Sequence, residues 1–351
     1  MATAHLLKKI KTFKNIKKTG GGYQLKKVYG LWLGIIFLVA ISAGFGAARS
    51  PAPIVLRCAD VHAFGYPTIE GVRYLDQLVR KRTGGRIQIK IYPESSLGPE
   101  KSVVEMVKLG LLDMGRVSMT EVAEVDYRLG VLILPYLFEN DDHKWNVLNG
   151  PVGKALLAGL SQYNLIGLCF QEAGYRSFYN SKRPIYRPED LKGLKLRVQP
   201  SRIMAKLVES LGASPVPINY GEVYAALSAG VIDGAENNIP SYYTSGHYRV
   251  ARYFSFDRHA SIPEVLLFSK KAWMNLKEAD RRIISNAAQE SVDYQRRQWA
   301  QFEKDCYRKL EDAGCQFNEV DLEAFKAAVA PFYRDYREKY RGLIESIEKA
   351  R

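Results

Sequence analysis

From Ile54 onward short apolar runs alternate with longer amphipathic ones, and that alternation leaves few folds open. Residues 54–59 read as an apolar strand. Residues 66–83 place Ile69, Val72, Leu75, Leu78 and Val79 at helical spacing, with Arg and Lys on the other face. Gly84-Gly85 ends that helix, because glycine tolerates the left-handed cap. Arg86-Ile-Gln-Ile-Lys-Ile-Tyr92 then alternates as a half-buried strand should. A helix is predicted over 99–112 and a strand over 114–119. The apolar run 131–134 stops at Pro135, and a helix around 143–160 leads to a strand over 165–170. Strand, helix, strand, repeated, predicts an α/β domain with a mainly parallel sheet.

A stretch rich in Tyr, Arg, Ser and Pro over 174–188 precedes a second series. Its strands are expected at 194–198, 231–233 and 265–269, and its helices at 202–211 and 221–229. Residues 213–218 are held extended by Pro215 and Pro217. The last eighty residues read as helical and charged, with one strand-like break at 315–320. The expectation is a bilobed α/β protein with crossing segments and long C-terminal helices. Lobe I takes residues 54–172 and about 263–300. Lobe II takes 173–262 and about 301–351.

The 351 residues carry a net charge of +14, which invites a nucleic-acid reading until its distribution is seen. Residues 1–48 hold eight lysines and no Asp or Glu, leaving 43 basic against 37 acidic residues elsewhere, with both signs interspersed. No basic stripe remains, so nucleic acid is not an expected partner. The lysines precede the apolar run 31–43 and the small-residue stretch Gly44-Phe-Gly-Ala-Ala48. Those are the parts of a secretory signal. Thirteen helical residues span roughly 20 Å, short of a ~30 Å hydrocarbon core, although counting through Ala48 leaves an uncleaved anchor open. The expected location is periplasmic. Cys58 and Cys169 read as buried thiols; Cys306 and Cys315 are left open as a pair that an oxidising compartment could bridge.

Chemistry is scarce. The five histidines never take the i, i+4 spacing of a zinc helix, and no cysteine pair has zinc-finger spacing. Gly150-Pro-Val-Gly-Lys154 has the wrong spacing for a phosphate loop, and no Gly-x-Ser-x-Gly elbow occurs. The expectation is therefore no enzyme, no metal and no cofactor. Many of the 22 tyrosines sit beside Gly, Pro or Arg, as in Gly65-Tyr66-Pro67 and Asn219-Tyr220-Gly221. A flat apolar face with a hydroxyl suits a sugar ring, and equally an ordinary surface.

Six stretches together carry a family resemblance: Tyr92-Pro-Glu-Ser-Ser-Leu-Gly98, Ile133-Leu-Pro-Tyr-Leu-Phe138, Asp190-Leu-Lys-Gly-Leu-Lys-Leu-Arg-Val198, Leu211-Gly-Ala-Ser-Pro215, Gly221-Glu-Val-Tyr-Ala-Ala-Leu227 and Val231-Ile-Asp-Gly-Ala-Glu-Asn-Asn238. In their order and spacing the chain resembles the solute-binding receptors of tripartite ATP-independent periplasmic (TRAP) transporters, of the DctP type. The resemblance implies a periplasmic-binding-protein-like fold that closes on an organic acid and delivers it to membrane permease subunits.

It also implies site residues. Arg197 alternates with Leu194, Leu196 and Val198 and alone reads as a solvated charge; by the resemblance it is the carboxylate-binding arginine. A planar guanidinium grips a carboxylate through two parallel hydrogen bonds, which lysine cannot do. Arg176 is then a second cation, Asn237 an amide reaching the solute, and Tyr220 a ring against it. From the first lobe Arg116, Ser118, His62 and Tyr66 follow strand ends, where open α/β sheets present ligand groups. His259 opens the return crossing before Pro263. One departure is the Gln199 that separates Val198 from Pro200, where the family's proline often follows directly. The run from Cys58 to Pro67, Arg116-Val-Ser118, Asp142-His-Lys-Trp145 and the run from Gly174 to Asn180 are similar to the branch that takes up hexuronates such as glucuronate or galacturonate. Receptors for C4-dicarboxylates or sialic acid share the arginine motif. A secreted enzyme acting on acidic sugars and a ligand-sensing subunit of a signalling system also remain open.

Overall fold

A computed structural model describes residues 52–350; the basic leader and its apolar run lie outside them. Eleven strands form two sheets among the described residues. In chain order they are β1 (Ile54–Ala59), β2 (Ile87–Tyr92), β3 (Met114–Ser118), β4 (Leu165–Gln171), β5 (Arg176–Asn180), β6 (Lys195–Val198), β7 (Ser214–Pro217), β8 (Gly234–Asn237), β9 (Tyr253–Ala260), β10 (Glu264–Ser269) and β11 (Gln316–Glu319). The first sheet runs β2-β1-β3-β10-β4 and the second β11-β9-β5-β8-β6-β7.

Both sheets are mixed, where a mainly parallel arrangement was expected. β10 pairs antiparallel with β3 and β4, and β5 pairs antiparallel with β8 and β9. The cause is the crossing connections. β5 enters the second sheet directly from β4 of the first, and β10 returns from β9, so each is inserted against its neighbours. One strand expectation also moves: the strand expected at 231–233 starts at Gly234, while the apolar run 131–134 falls largely in the 3-10 helix Tyr127–Ile133. The helix expected over 143–160 is broken by Gly150-Pro151 into Asp141–Asn149 and Pro151–Gly159.

Sequence pattern and burial agree elsewhere. Helix Pro67–Thr83 buries Ile69, Val72, Leu75 and Val79 and ends on Gly84 at φ 59°. The 35-residue helix Glu278–Asp312, roughly 50 Å long, packs Ile284, Ala287, Ala288 and Val292 into the core of the first sheet and Cys306 and Leu310 into that of the second. The lobe boundary expected near residue 300 lies inside this continuous helix. Between its two ends Trp299 packs on Tyr66 and Ala173. At the β4–β5 crossing Gly174 has φ 64°, and a Cβ there would sit 3.0 Å from both Trp299 and Glu303. Only glycine fits this crossing. All four cysteines are free thiols.

Candidate functional site

The ends of the strands bring two walls together. In the second sheet β6 is flanked by β7 and β8, both parallel to it. Arg197 near its end, Asn237 at the end of β8 and Ile218 just past β7 therefore share one edge, where open α/β sheets present ligand groups. In the first sheet Asp60 and His62 follow β1, Ser118 ends β3 and Glu264 begins β10. Glu100 opens the helix Glu100–Leu109 beside them.

Two neighbouring cavities with shared lining residues lie between these walls. One, of about 20 Å³, is lined by His62, Glu100 and Glu264 from the first lobe and by Arg176, Arg197, Tyr220 and Asn237 from the second. The other, of about 180 Å³, shares Val61, Glu100, Arg197, Gln199 and Tyr220 and adds Glu121 and Asn219. This is well below the roughly 300–1,000 Å³ that drug-sized ligands occupy, and it fits a small solute. The lobes touch directly: the Tyr66 hydroxyl lies 2.8 Å from Ser241 Oγ, and the His62 ring meets Tyr220 edge-on at 5.0 Å. A larger groove of about 760 Å³ runs along the long helix past Phe254, Phe256 and Tyr307. Its two arginines are matched, Arg258 to Glu319 and Arg308 to Asp305, and neither is buried as Arg197 is, so size does not locate the site.

Arg197 is the unbalanced charge. It is 2% exposed, its Nε donates to the Ile218 carbonyl at 2.8 Å, and among the described residues no carboxylate lies within ion-pair distance. Burial lowers its pKa, partly offset by Glu236. A buried cation without a counter-ion is costly and calls for an anion. Arg176 differs. Its Nε is 2.5 Å from Glu236 Oε2, its Nη2 donates to the carbonyl and Oε1 of the same residue, and its Nη1 donates to Asn237 Oδ1 at 2.9 Å. That grip consumes its charge. Behind it His259 Nδ1 lies 2.8 Å from Asp257, and its Nε2 lies 3.5 Å from Glu236. Burial lowers the His259 pKa, but Asp257 and Glu236 outweigh it and hold the ring up at about 9. Burial likewise acts to raise Glu236, yet Arg176 and His259 bring it down to about 2. His259 thus supports Arg176 from behind and does not line either cavity.

The first-lobe expectations divide. His62 lines the smaller cavity, stacked on Tyr66 at 3.7 Å and held neutral by burial and by Arg116. Tyr66 lines neither cavity; its hydroxyl bridges to Ser241. Arg116 is fully buried but turned into the lobe, gripping Asp60 through two nitrogens and meeting Glu264 at 2.5 Å and Glu100 at 3.2 Å. All three of its nitrogens are engaged by carboxylates, and it is not a lining residue. Ser118 donates its N–H to Glu100 at 3.1 Å and accepts from Thr120 Oγ1. Of the nine residues expected, Arg197, Arg176, Asn237, Tyr220 and His62 line the cavities; Arg116, Ser118, Tyr66 and His259 stand behind them.

Sequence reasoning missed Glu100, Glu264, Glu121 and Gln199. The three acids carried no signal, since Glu at a helix start or strand edge is ordinary. Gln199 was visible only as a departure from the family pattern, and its buried Oε1 has no partner. Burial and the neighbouring Glu264 push Glu100 up to about 8; burial also raises Glu264, and raises Glu121 to about 7. The three carboxylates of Asp60, Glu100 and Glu264 converge on a guanidinium, and no cluster among the described residues has metal-ligand geometry.

Two sheets joined by crossing strands, closed over a small cavity with an unpaired guanidinium, define a two-lobed binding protein for an anionic solute. The chain belongs to the bacterial extracellular solute-binding protein family 7, the DctP family, whose model matches residues 58–339. It is 35% identical to a solute-binding protein of Chromohalobacter salexigens over 295 residues, 83% of this chain and 88% of that one. A TRAP periplasmic solute-binding protein from Xanthobacter autotrophicus, solved with bound β-D-galacturonate, is 40% identical, with a TM-score of 0.82 over 84% of this chain and 100% of that one. Another from Chromohalobacter salexigens, solved with bound D-glucuronate, is 34% identical, also with a TM-score of 0.82 over 84% and 100%. The family and these neighbours are solute-binding proteins of the periplasm. No helix among the described residues is long and apolar enough to cross a membrane.

Proposed function

We propose that this protein is the extracytoplasmic receptor of a TRAP transporter for a hexuronate such as glucuronate or galacturonate. The observation that carries the reading is Arg197, buried and without a carboxylate in a cavity closed between two lobes. A solute carboxylate supplies the missing charge through two parallel hydrogen bonds. Asn237 Oδ1 accepts from Arg176, and its Nδ2 has no partner among the described residues; with Gln199 Oε1 it serves the sugar hydroxyls. Tyr220 offers its ring. The lobes, residues 54–172 with 263–300 and 173–262 with 301–351, move about the crossings, because only the closed state lets both walls meet the solute. Residues 1–48 act as the export signal, and the loaded receptor hands the solute to the membrane permease subunits.

Calorimetric titration tests this. D-Glucuronate or D-galacturonate binds one to one, while glucose and galactose, which lack the carboxylate, do not. Equal binding of the neutral sugars removes the arginine from the account. One observation favours a second reading, a secreted enzyme for acidic sugars: two carboxyls with raised pKa, Glu100 and Glu264, face the cavity as acid and base would. Both are held by Arg116. Recovery of the uronate unchanged after prolonged incubation excludes turnover.

A further inference from the structure

The wall that faces Arg197 has the opposite electrostatic problem. Glu100 and Glu264 line the smaller cavity, and Glu100 and Glu121 line the larger. Asp60 lies directly behind them on Arg116. Asp60, Glu100 and Glu264 therefore share one guanidinium on this side, Glu121 stands nearby without a pairing to it, and the imidazole beside them, His62, is held neutral by burial. On the other side Arg176 is already neutralised by Glu236. The closed site has one unpaired cation at one end and an excess of acid at the other. Gln199 Oε1, buried without a partner, adds an acceptor that only a hydrogen-bond donor can satisfy.

Resting on the hexuronate reading, we propose that the acid wall of Glu100, Glu121 and Glu264 makes the receptor selective for sugar acids with one carboxylate, and that it rejects the diacids of the same carbon skeleton. A monoanion places its carboxylate on Arg197 and turns hydroxyls to the far wall. There a carboxyl group accepts from a hydroxyl when ionised, and both donates and accepts when protonated. A diacid must place its second carboxylate against this wall. It then meets like charge in a water-poor crevice, or drives further protonation of groups that burial has already pushed up. Like-charge juxtaposition is a strong means of rejecting a wrong partner. The wall is thus a device against diacids as much as a set of contacts to a sugar.

The test titrates the purified protein at neutral pH with D-galacturonate and D-glucuronate, and with galactarate and D-glucarate, their six-carbon diacids. The expected result is a uronate affinity about 100-fold or more above that of the matching diacid. Glu100→Gln narrows the ratio about tenfold or more, with a smaller effect on the uronate itself. Glu121→Gln, on a separate helix, serves as a second variant should Glu100→Gln fail to give a cooperative melt, and it narrows the ratio in the same direction. Diacid affinity within about threefold of the uronate in the unmodified protein overturns this inference alone and leaves the receptor reading standing. An unchanged ratio in the folded variants does the same. Failure of both uronates to bind overturns the receptor reading together with this inference.

Discussion

Arg116 and Arg197 are both buried, both sit on a strand of a lobe's sheet, and could hardly be treated more differently. Arg116 is enclosed by Asp60, Glu100 and Glu264 and turned into its own lobe. Arg197 has a single backbone carbonyl on Nε and faces the cavity. Burial therefore does not distinguish the two arginines; the matching of their charge does. Arg116 organises a wall, whereas Arg197 lines the cavity with no carboxylate paired to it among the described residues. Each part of that contrast can be broken separately.

The largest effect is expected at Arg116. Arg116→Met leaves three buried carboxyls without their cation, and breaking such a cluster costs about 3–5 kcal/mol. Thermal or denaturant unfolding at neutral pH shows the loss. A variant as stable as the parent would mean that Arg116 is not what holds Asp60, Glu100 and Glu264 together.

Arg197→Met reverses the pattern. Removing a cation with no buried partner leaves the unliganded protein as stable as before, or more so by about 1 kcal/mol. Uronate affinity nevertheless falls by about 100-fold or more, roughly 3 kcal/mol, as expected for a lost charge-assisted pair. Calorimetry and a melting curve on the same preparation check both halves. A drop in stability without a drop in affinity would exchange the roles assigned to the two arginines.

The third test is a pH dependence. In the native state Glu100 binds its proton up to about 8, whereas an unfolded chain releases it near the usual 4.5. Between those values the native state carries more protons, so this group's contribution to stability falls as pH rises through the window. Glu100→Gln removes the titration. The variant gains on the parent as pH climbs toward 8, by about 1–3 kcal/mol after allowance for coupling to Glu264. Parallel stability curves for the two proteins would mean that Glu100 is ionised throughout.

How much of this was legible in the sequence depends on the length scale of the signal. The β2 alternation, the helix Pro67–Thr83 with its Gly84 cap and the extended Pro215-Val-Pro217 are local patterns, and all are found. Strand direction is not local. Nothing in the apolar run of β10 records that it arrives from the other lobe and lies antiparallel to β3 and β4. The same limit separates the site residues. Arg197 and Asn237 sit in motifs long enough to resemble a family. Arg116 was expected at a strand end and lies in the middle of β3, and whether its guanidinium faces the cavity or its own lobe depends on Asp60, Glu100 and Glu264, three residues 56, 16 and 148 positions away. Charge balance at a buried point is a sum over distant segments, and no single motif contains it.

The smallest expected effect concerns contact between the lobes and not the solute. Tyr66 precedes the helix Pro67–Thr83 of the first lobe, and its hydroxyl meets Ser241 in the helix Ile239–Thr244 of the second. It lines neither cavity, so Tyr66→Phe removes no solute contact and keeps the ring on which His62 stacks. One hydrogen bond of about 1 kcal/mol is lost from the closed state alone, because the separated lobes would each be hydrated. A closed state weakened by that amount lowers apparent affinity about fivefold. The change should fall on dissociation, since the solute leaves only when the lobes part. Stopped-flow release kinetics would show it as a faster off-rate with little change in association. Tyr66→Ala, which also strips the support from His62, should go further. An unchanged off-rate in Tyr66→Phe would mean that this bridge does not help hold the lobes shut, and that Arg197, on the far wall, does the holding through the solute itself.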